Sequence, residues 1–235
     1  MPTIATATPA SSHFAPRPSA PRSATPNGFE RLLTQATLRR VESKEFAFME
    51  GDPTTHIFQI ETGAVALYKV LPDGRRQVVG FAYPGDLIGL GALRVHTVNA
   101  QAIKPTRLRC LPIAMVHRVA GEDAKLGLKL YEAMANELAS TRDLLLTTGH
   151  RSATERVVSF LLAMSARNER SGQDPSRFDL PMTRADIADF LGLTIETVSR
   201  TFTKLRMLGL IALPEANHVC IEQASGLRAL AGENA

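Results

Sequence analysis

From Arg184 to Leu205 the chain reads RADIADFLGLTIETVSRTFTKL, and the second half of this stretch sets a carboxylate, a hydroxyl and a guanidinium at helical spacing: Glu196, Ser199 and Arg200. At about 100° per residue these three and Thr203 gather on one side of a helix, while Val198, Phe202, Leu205 and Leu208 gather on the other and are expected to be buried. Such a polar face can read the edges of base pairs. Glutamate accepts from a cytosine amino group, arginine donates twice to guanine O6 and N7, and serine can contact either partner of a pair. A solvated helix surface is the plain competitor, because Glu196 suits the positive end of a helix and Arg200 lies four residues on. The elements around the helix decide between the two.

Thr183 is placed to cap a helix that ends at Leu191-Gly192, and Thr194 to cap another that begins at Ile195, with about three residues between them. Gly192 suits the left-handed conformation of a tight corner, and Ala188 is small enough for the helices to cross closely. Ile187, Leu191, Leu193 and Val198 supply the buried apices. This is the helix-turn-helix pattern, whose second helix enters the major groove with its N-terminal residues deepest. Leu210 to Leu213, a turn from Pro214 to Asn217, and His218 to Glu222 add a two-stranded wing. Thr183, Thr194, Thr197, Thr203, Lys204 and Arg206 are the candidate contacts to DNA phosphates, with ordinary solvated polarity as the alternative. Upstream, Ser152 with Glu155 forms a capping box for a helix whose core face is Val157, Phe160, Leu161 and Met164, and residues 168 to 180 read as a polar loop.

Four parts follow: a disordered tail over 1–27, a β-roll domain over 28–120, a long helix over 121–149 and a winged helix-turn-helix over 150–235. The tail holds six prolines among Ala, Ser and Thr and cannot bury enough to order itself. It is acid-poor, as an organelle transit peptide is, but Pro9, Pro16, Pro18, Pro21 and Pro26 would break the helix such a peptide uses. Gly51-Asp52, Gly63, Asp73-Gly74 and Gly85-Asp86 punctuate the next part evenly. The strands expected between them are Ile57 to Ile60, Val65 to Val70, Val78 to Phe81 and Leu108 to Ile113, a pattern of a small barrel or roll, or of a sandwich. After Gly121 the period turns helical, and Leu126, Leu130, Met134, Glu137, Thr141 and Leu145 form a stripe suited to pairing with a second copy or to packing on the roll.

Composition excludes more than it selects. The net charge of +4 resides in the first 40 residues, where five arginines oppose Glu30, so it says nothing about DNA. No apolar run approaches the roughly 18 residues of a membrane span, and two cysteines build neither a disulfide framework nor a four-thiolate metal site, so a cytoplasmic protein is expected. The six histidines show no metal spacing, and no nucleophile elbow, P-loop, H-E-x-x-H or dinucleotide fingerprint is present, which argues against an enzyme. Cys220 on the wing is the candidate for redox control, against the reading of a buried small hydrophobe flanked by Val219 and Ile221.

A glycine-punctuated roll, a long helix and a winged helix-turn-helix together resemble the CRP/FNR family over residues 30 to 230 or so. The matching stretches are Glu50-Gly51-Asp52-Pro53, Asp73-Gly74-Arg75-Arg76, Phe81 with Pro84-Gly85-Asp86-Leu87-Ile88-Gly89, and Glu196-Thr197-Val198-Ser199-Arg200. The resemblance implies an α+β fold: an N-terminal β-roll (double-stranded β-helix, cyclic-nucleotide-binding-like), a long dimerisation helix and a C-terminal winged helix-turn-helix. It implies a homodimeric regulator, mainly an activator, that binds double-stranded DNA and contacts RNA polymerase. The E-x-x-S-R order is similar to the FNR and FixK branch, which implies a TTGA/TCAA palindrome read by Glu196, Ser199 and Arg200. Cluster-bearing members use three N-terminal cysteines plus one in the roll; here Cys110 stands alone at the roll position, and one thiolate cannot hold a cluster. Cyclic-nucleotide members pair a Gly-Glu segment with Arg-Ser/Thr-Ala, whereas this chain has Asp86 and Val98-Asn99-Ala100, without a counter-charge for a phosphate. No cofactor or metal is therefore expected. The implied place is the FixK-like group, with low-oxygen or nitrogen-fixation genes as targets. The alternative is a regulator of the same family gated by a small molecule, nitric oxide or haem.

Overall fold

The computed structural model describes residues 28–91 and 94–232, so the expected tail over 1–27 lies outside the described residues. Helix α1 (Gly28–Gln35) leads into strands β1 (Thr37–Val41), β2 (Phe46–Phe48), β3 (His56–Val70), β4 (Arg76–Ala82), β5 (Leu87–Ile88) and β6 (Asn99–Pro112). They form one antiparallel sheet in the order β1-β6-β3-β4, with β2 on β6 and β5 on β3.

The segments Ile57 to Ile60 and Val65 to Val70 belong to one strand rather than two. β3 bends through irregular pairing around Thr62 and so serves both halves of the roll. Gly63 takes φ +102° there, and any Cβ would collide with Thr106 across the sheet. Pro105, which has no N–H to give, falls in the same irregular stretch of β6, between the residues paired with Thr62 and Ala64. Val41, Ile60, Val65, Ala100 and Leu108 fill the roll.

Helix α2 (Ile113–Glu122) is followed by α3 (Ala124–His150). The long helix thus begins at Ala124 and not at Gly121, because Asp123 turns to an extended conformation (φ −124°, ψ 100°) and its carboxylate caps α3 by accepting from the Lys125 N–H at 2.9 Å. Leu126 is fully buried against Ile57, Leu111 and Val116 of its own chain, and Leu130 packs against the same cluster. Leu126 has no surface left for a partner and is struck from the expected dimer stripe.

Helix α4 (Ala153–Arg170) carries the capping box expected of Ser152 and Glu155. The supposed loop over 168–180 is shorter than expected: α4 runs to Arg170, and β7 (Arg177–Asp179) forms within it. Next come α5 (Arg184–Leu191), α6 (Ile195–Met207), β8 (Ile211–Glu215), β9 (His218–Ile221) and α7 (Ala224–Leu230). β7 pairs with β9, so the two-stranded wing is part of a three-stranded sheet. Val157, Leu161, Ile187, Leu191, Val198, Phe202, Leu205, Ile211, Val219 and Leu227 make the core of this half. Leu208, expected among them, is exposed because α6 stops one residue earlier, and Leu193 is only partly buried. Among the described residues no helix is long and apolar enough to cross a membrane.

Candidate nucleic-acid interface

The reading helix is set by local bonds that the sequence encodes. Thr183 Oγ1 accepts from the Asp186 N–H at 3.1 Å, while the Asp186 carboxylate accepts from the Thr183 N–H at 2.9 Å and its hydroxyl at 2.7 Å, which starts α5. Gly192 closes it in the left-handed conformation, φ 63° and ψ 42°. Arg156 of α4 then donates to the Leu191 carbonyl at 3.1 Å, holding the corner from below. Thr194 Oγ1 accepts from the Thr197 N–H at 3.3 Å and starts α6.

Arg184 was not among the expected residues, yet it ties three elements together. Its guanidinium lies 3.4 Å over the Phe202 ring of α6 and donates to the Ala216 carbonyl at the wing turn at 3.1 Å. Burial draws its pKa down to about 10, which still leaves it charged near neutral pH. The signal was present: a cation in the first turn of a helix opposes the macrodipole and needs a reason to be there.

Val198, Phe202 and Leu205 are buried, and Glu196, Ser199, Arg200 and Thr203 are exposed, so the two faces of α6 divide as the spacing requires. The Glu196 carboxyl is held below the usual range by its own backbone N–H at the helix start, then by Thr194 and Arg200, so it stays an anionic acceptor. Arg200 reaches Thr197 Oγ1 at 3.5 Å, a marginal contact that leaves the guanidinium fork available. Thr203 differs. Its hydroxyl already donates to the Ser199 carbonyl at 3.0 Å, so it has no proton for a phosphate. Thr194 and Thr197 lie 3.1 Å apart through their hydroxyls, and Lys204 and Arg206 are exposed.

Residues 38–123 match the cyclic nucleotide-binding domain and residues 155–230 the Crp-like helix-turn-helix domain. The nitrogen fixation regulation protein FixK of Bradyrhizobium diazoefficiens is 44% identical over 177 residues, covering 74% of this chain and 75% of that protein. The chain belongs to the CRP/FNR family of transcription regulators. A second relative, the transcriptional activatory protein AadR of Rhodopseudomonas palustris, is 38% identical over 185 residues, covering 79% of this chain and 76% of that protein. The solved structure of FixK2 from Bradyrhizobium japonicum superposes with a TM-score of 0.79 at 36% identity, over 85% of this chain and 99% of that one. As a CRP/FNR protein the chain is a DNA-binding regulator of α+β architecture and not an enzyme.

In this CRP/FNR chain a cavity of about 840 Å³ lies between the roll, α3 and the end of α4, lined in part by Phe81, Asp86, Ile88, His96, Val98 and Arg167. Among the described residues the roll offers this cavity a carboxylate, Asp86, and no lysine or arginine. A cyclic phosphate would thus find no counter-charge on the roll itself; the cations of this lining, Lys129, Arg167 and Arg170, belong to α3 and α4, and Arg167 is already paired with Asp86. Cys110 is buried and burial pushes its thiol pKa up, and the other cysteine, Cys220, lies on β9 of the other half, so a cluster does not fit. Cys220 is partly exposed on β9, between Arg177 of β7 and Ala212 of β8. Among the described residues no group of three His, Cys, Asp or Glu side chains could hold a metal ion.

Proposed function

We propose that the chain is a FixK-like activator that binds a TTGA/TCAA palindrome as a homodimer, engages RNA polymerase and controls low-oxygen or nitrogen-fixation genes in the cytoplasm. One observation carries the reading: Glu196, Ser199 and Arg200 stand together, exposed, on the outward face of a capped second helix. In this proposal Glu196 accepts from cytosine, Arg200 donates to guanine, and Ser199 contacts the neighbouring pair. Thr194, Thr197, Lys204 and Arg206 position the domain on the phosphates, whereas Thr183 and Thr203 have already given their hydroxyl protons to Asp186 and to the Ser199 carbonyl. The FixK names of the relatives support the gene class. Two copies would pair through α3, where Leu128, Tyr131, Met134, Leu138 and Leu145 are exposed beside Glu137 and Thr141. Cys220 remains the residue through which oxidation would act, next to the DNA.

Binding to synthetic duplexes tests the assignment. Arg200→Ala should lose about 1 to 3 kcal/mol of preference for the palindrome over scrambled DNA. Equal losses on both duplexes would contradict the base-reading role. The cavity favours a second reading, an effector-gated regulator of the same family; heat of binding on titration with cyclic nucleotides would support it.

A further inference from the structure

Beyond the covalent link through α3, the two halves of the chain meet through contacts of their own. The hairpin joining β3 and β4 reaches the first helix of the helix-turn-helix, where Arg76 donates to the Asp186 carboxylate at 2.6 Å and lies 3.7 Å from that of Asp189. Gln77 donates to the Asp189 carbonyl at 2.7 Å. The Arg76 guanidinium also covers the Tyr68 ring at 4.5 Å, and the Asp186 side chain is only 14% exposed, so this pair is shielded from water. Alongside, Phe81 of the roll packs against Phe190 of α5 at 5.3 Å and Phe160 of α4 at 6.5 Å between ring centroids. Arg167 of α4 closes the contact by pairing with Asp86 at 3.1 Å while lying over Tyr83.

Asp186 is also the third residue of α5 and closes its capping box, so a pull on Arg76 acts on the start of that helix. The Gly192 corner and α6 follow directly. A dimer on two half-sites separated by about 34 Å loses affinity if its reading domains swing freely, because binding must then freeze that motion. We propose that Arg76, aided by Gln77, is a positioning residue for DNA reading: it fastens α5 to the roll and so sets the separation of the two reading helices without an effector. The inference rests on the DNA-reading assignment above.

The test uses the full chain with Arg76→Ala, Arg76→Lys and the double variant Arg76→Ala/Gln77→Ala, on the palindrome, on palindromes lengthened or shortened at the centre, and on a single half-site. Arg76→Ala should bind the palindrome about tenfold more weakly, the size of an ordinary coupling between sites, and lose its preference for the native spacing. Single half-site affinity should hold, and Arg76→Lys should fall between. Wild-type affinity and spacing preference in the alanine variants, tighter binding by them, or equal losses on half-site and palindrome would each overturn the proposal. Hydrogen exchange of the α5 amides without DNA separates this inference from the reading itself. If the wild type ignores the palindrome, the DNA assignment fails, and the fastening is still judged by whether the double variant exchanges faster at α5; unchanged exchange overturns it.

Discussion

The outward face of α6 and the cavity beneath the roll contain similar groups in opposite states. Glu196 and Arg200 are exposed, and Arg200 has one marginal contact at 3.5 Å. Asp86 and Arg167 in the cavity are consumed: Asp86 accepts from the Tyr83 N–H at 2.9 Å and pairs with Arg167 at 3.1 Å. Arginines show the same division on a smaller scale. Arg184 is spent on Phe202 and a carbonyl, whereas Arg200, sixteen positions along the same motif, is held in reserve. A surface that the fold leaves unsatisfied is available to a partner, while a pair such as Asp86 and Arg167, spent on each other, belongs to the scaffold. Size alone would have favoured the cavity.

The strongest way to break this contrast is to remove what presents the free face. Phe202 is fully buried under α6 and carries Arg184 on its ring, so Phe202→Ala should cost the DNA-binding half about 3 to 5 kcal/mol in urea unfolding. A loss below about 1 kcal/mol would mean that α6 is held by something other than its buried side. A finer cut separates the two kinds of threonine. Thr194→Ala removes the cap of α6 and should cost about 1 kcal/mol. Thr203→Val removes a hydroxyl already bonded to the Ser199 carbonyl, and palindrome affinity should stay within about twofold, the range of an ordinary surface change. A larger fall for Thr203→Val, seen by fluorescence anisotropy, would move that residue into the reading set.

Features encoded within a few residues were legible: the capping boxes at Ser152 and Thr183, the cap at Thr194 and the left-handed Gly192 all stand where spacing puts them. Features that depend on distant partners were not. β7 is three residues long and exists because β9, forty residues on, supplies its bonds. Helix α7 is short and anchored by the burial of Leu227, a tertiary gain that no local pattern announces. The stripe of α3 was misassigned at Leu126 because an apolar face looks the same whether its own roll or a second chain covers it. Arg76 was visible within Asp73-Gly74-Arg75-Arg76, but its partners lie more than a hundred residues away.

The smallest effect concerns protons. His96 is 3% exposed, its ring stacked 3.7 Å from that of Phe48, and burial pulls its pKa below 6.5 although Asp52 opposes the shift. The native chain therefore keeps His96 neutral where the unfolded chain takes up a proton. This contribution to stability is full above about 6.5 and is lost as pH falls from there toward the folded value. Urea midpoints from about pH 7.5 to about 5.5 should fall more steeply for the wild type than for His96→Phe, which keeps the stack and cannot titrate. Parallel curves would show that His96 is not held neutral. Glu196 shifts in the same direction with the opposite effect on charge: its pKa is lowered, so the reading face keeps its negative charge through the same window. Acid should thus loosen the roll before it alters the chemistry that α6 offers to a base pair.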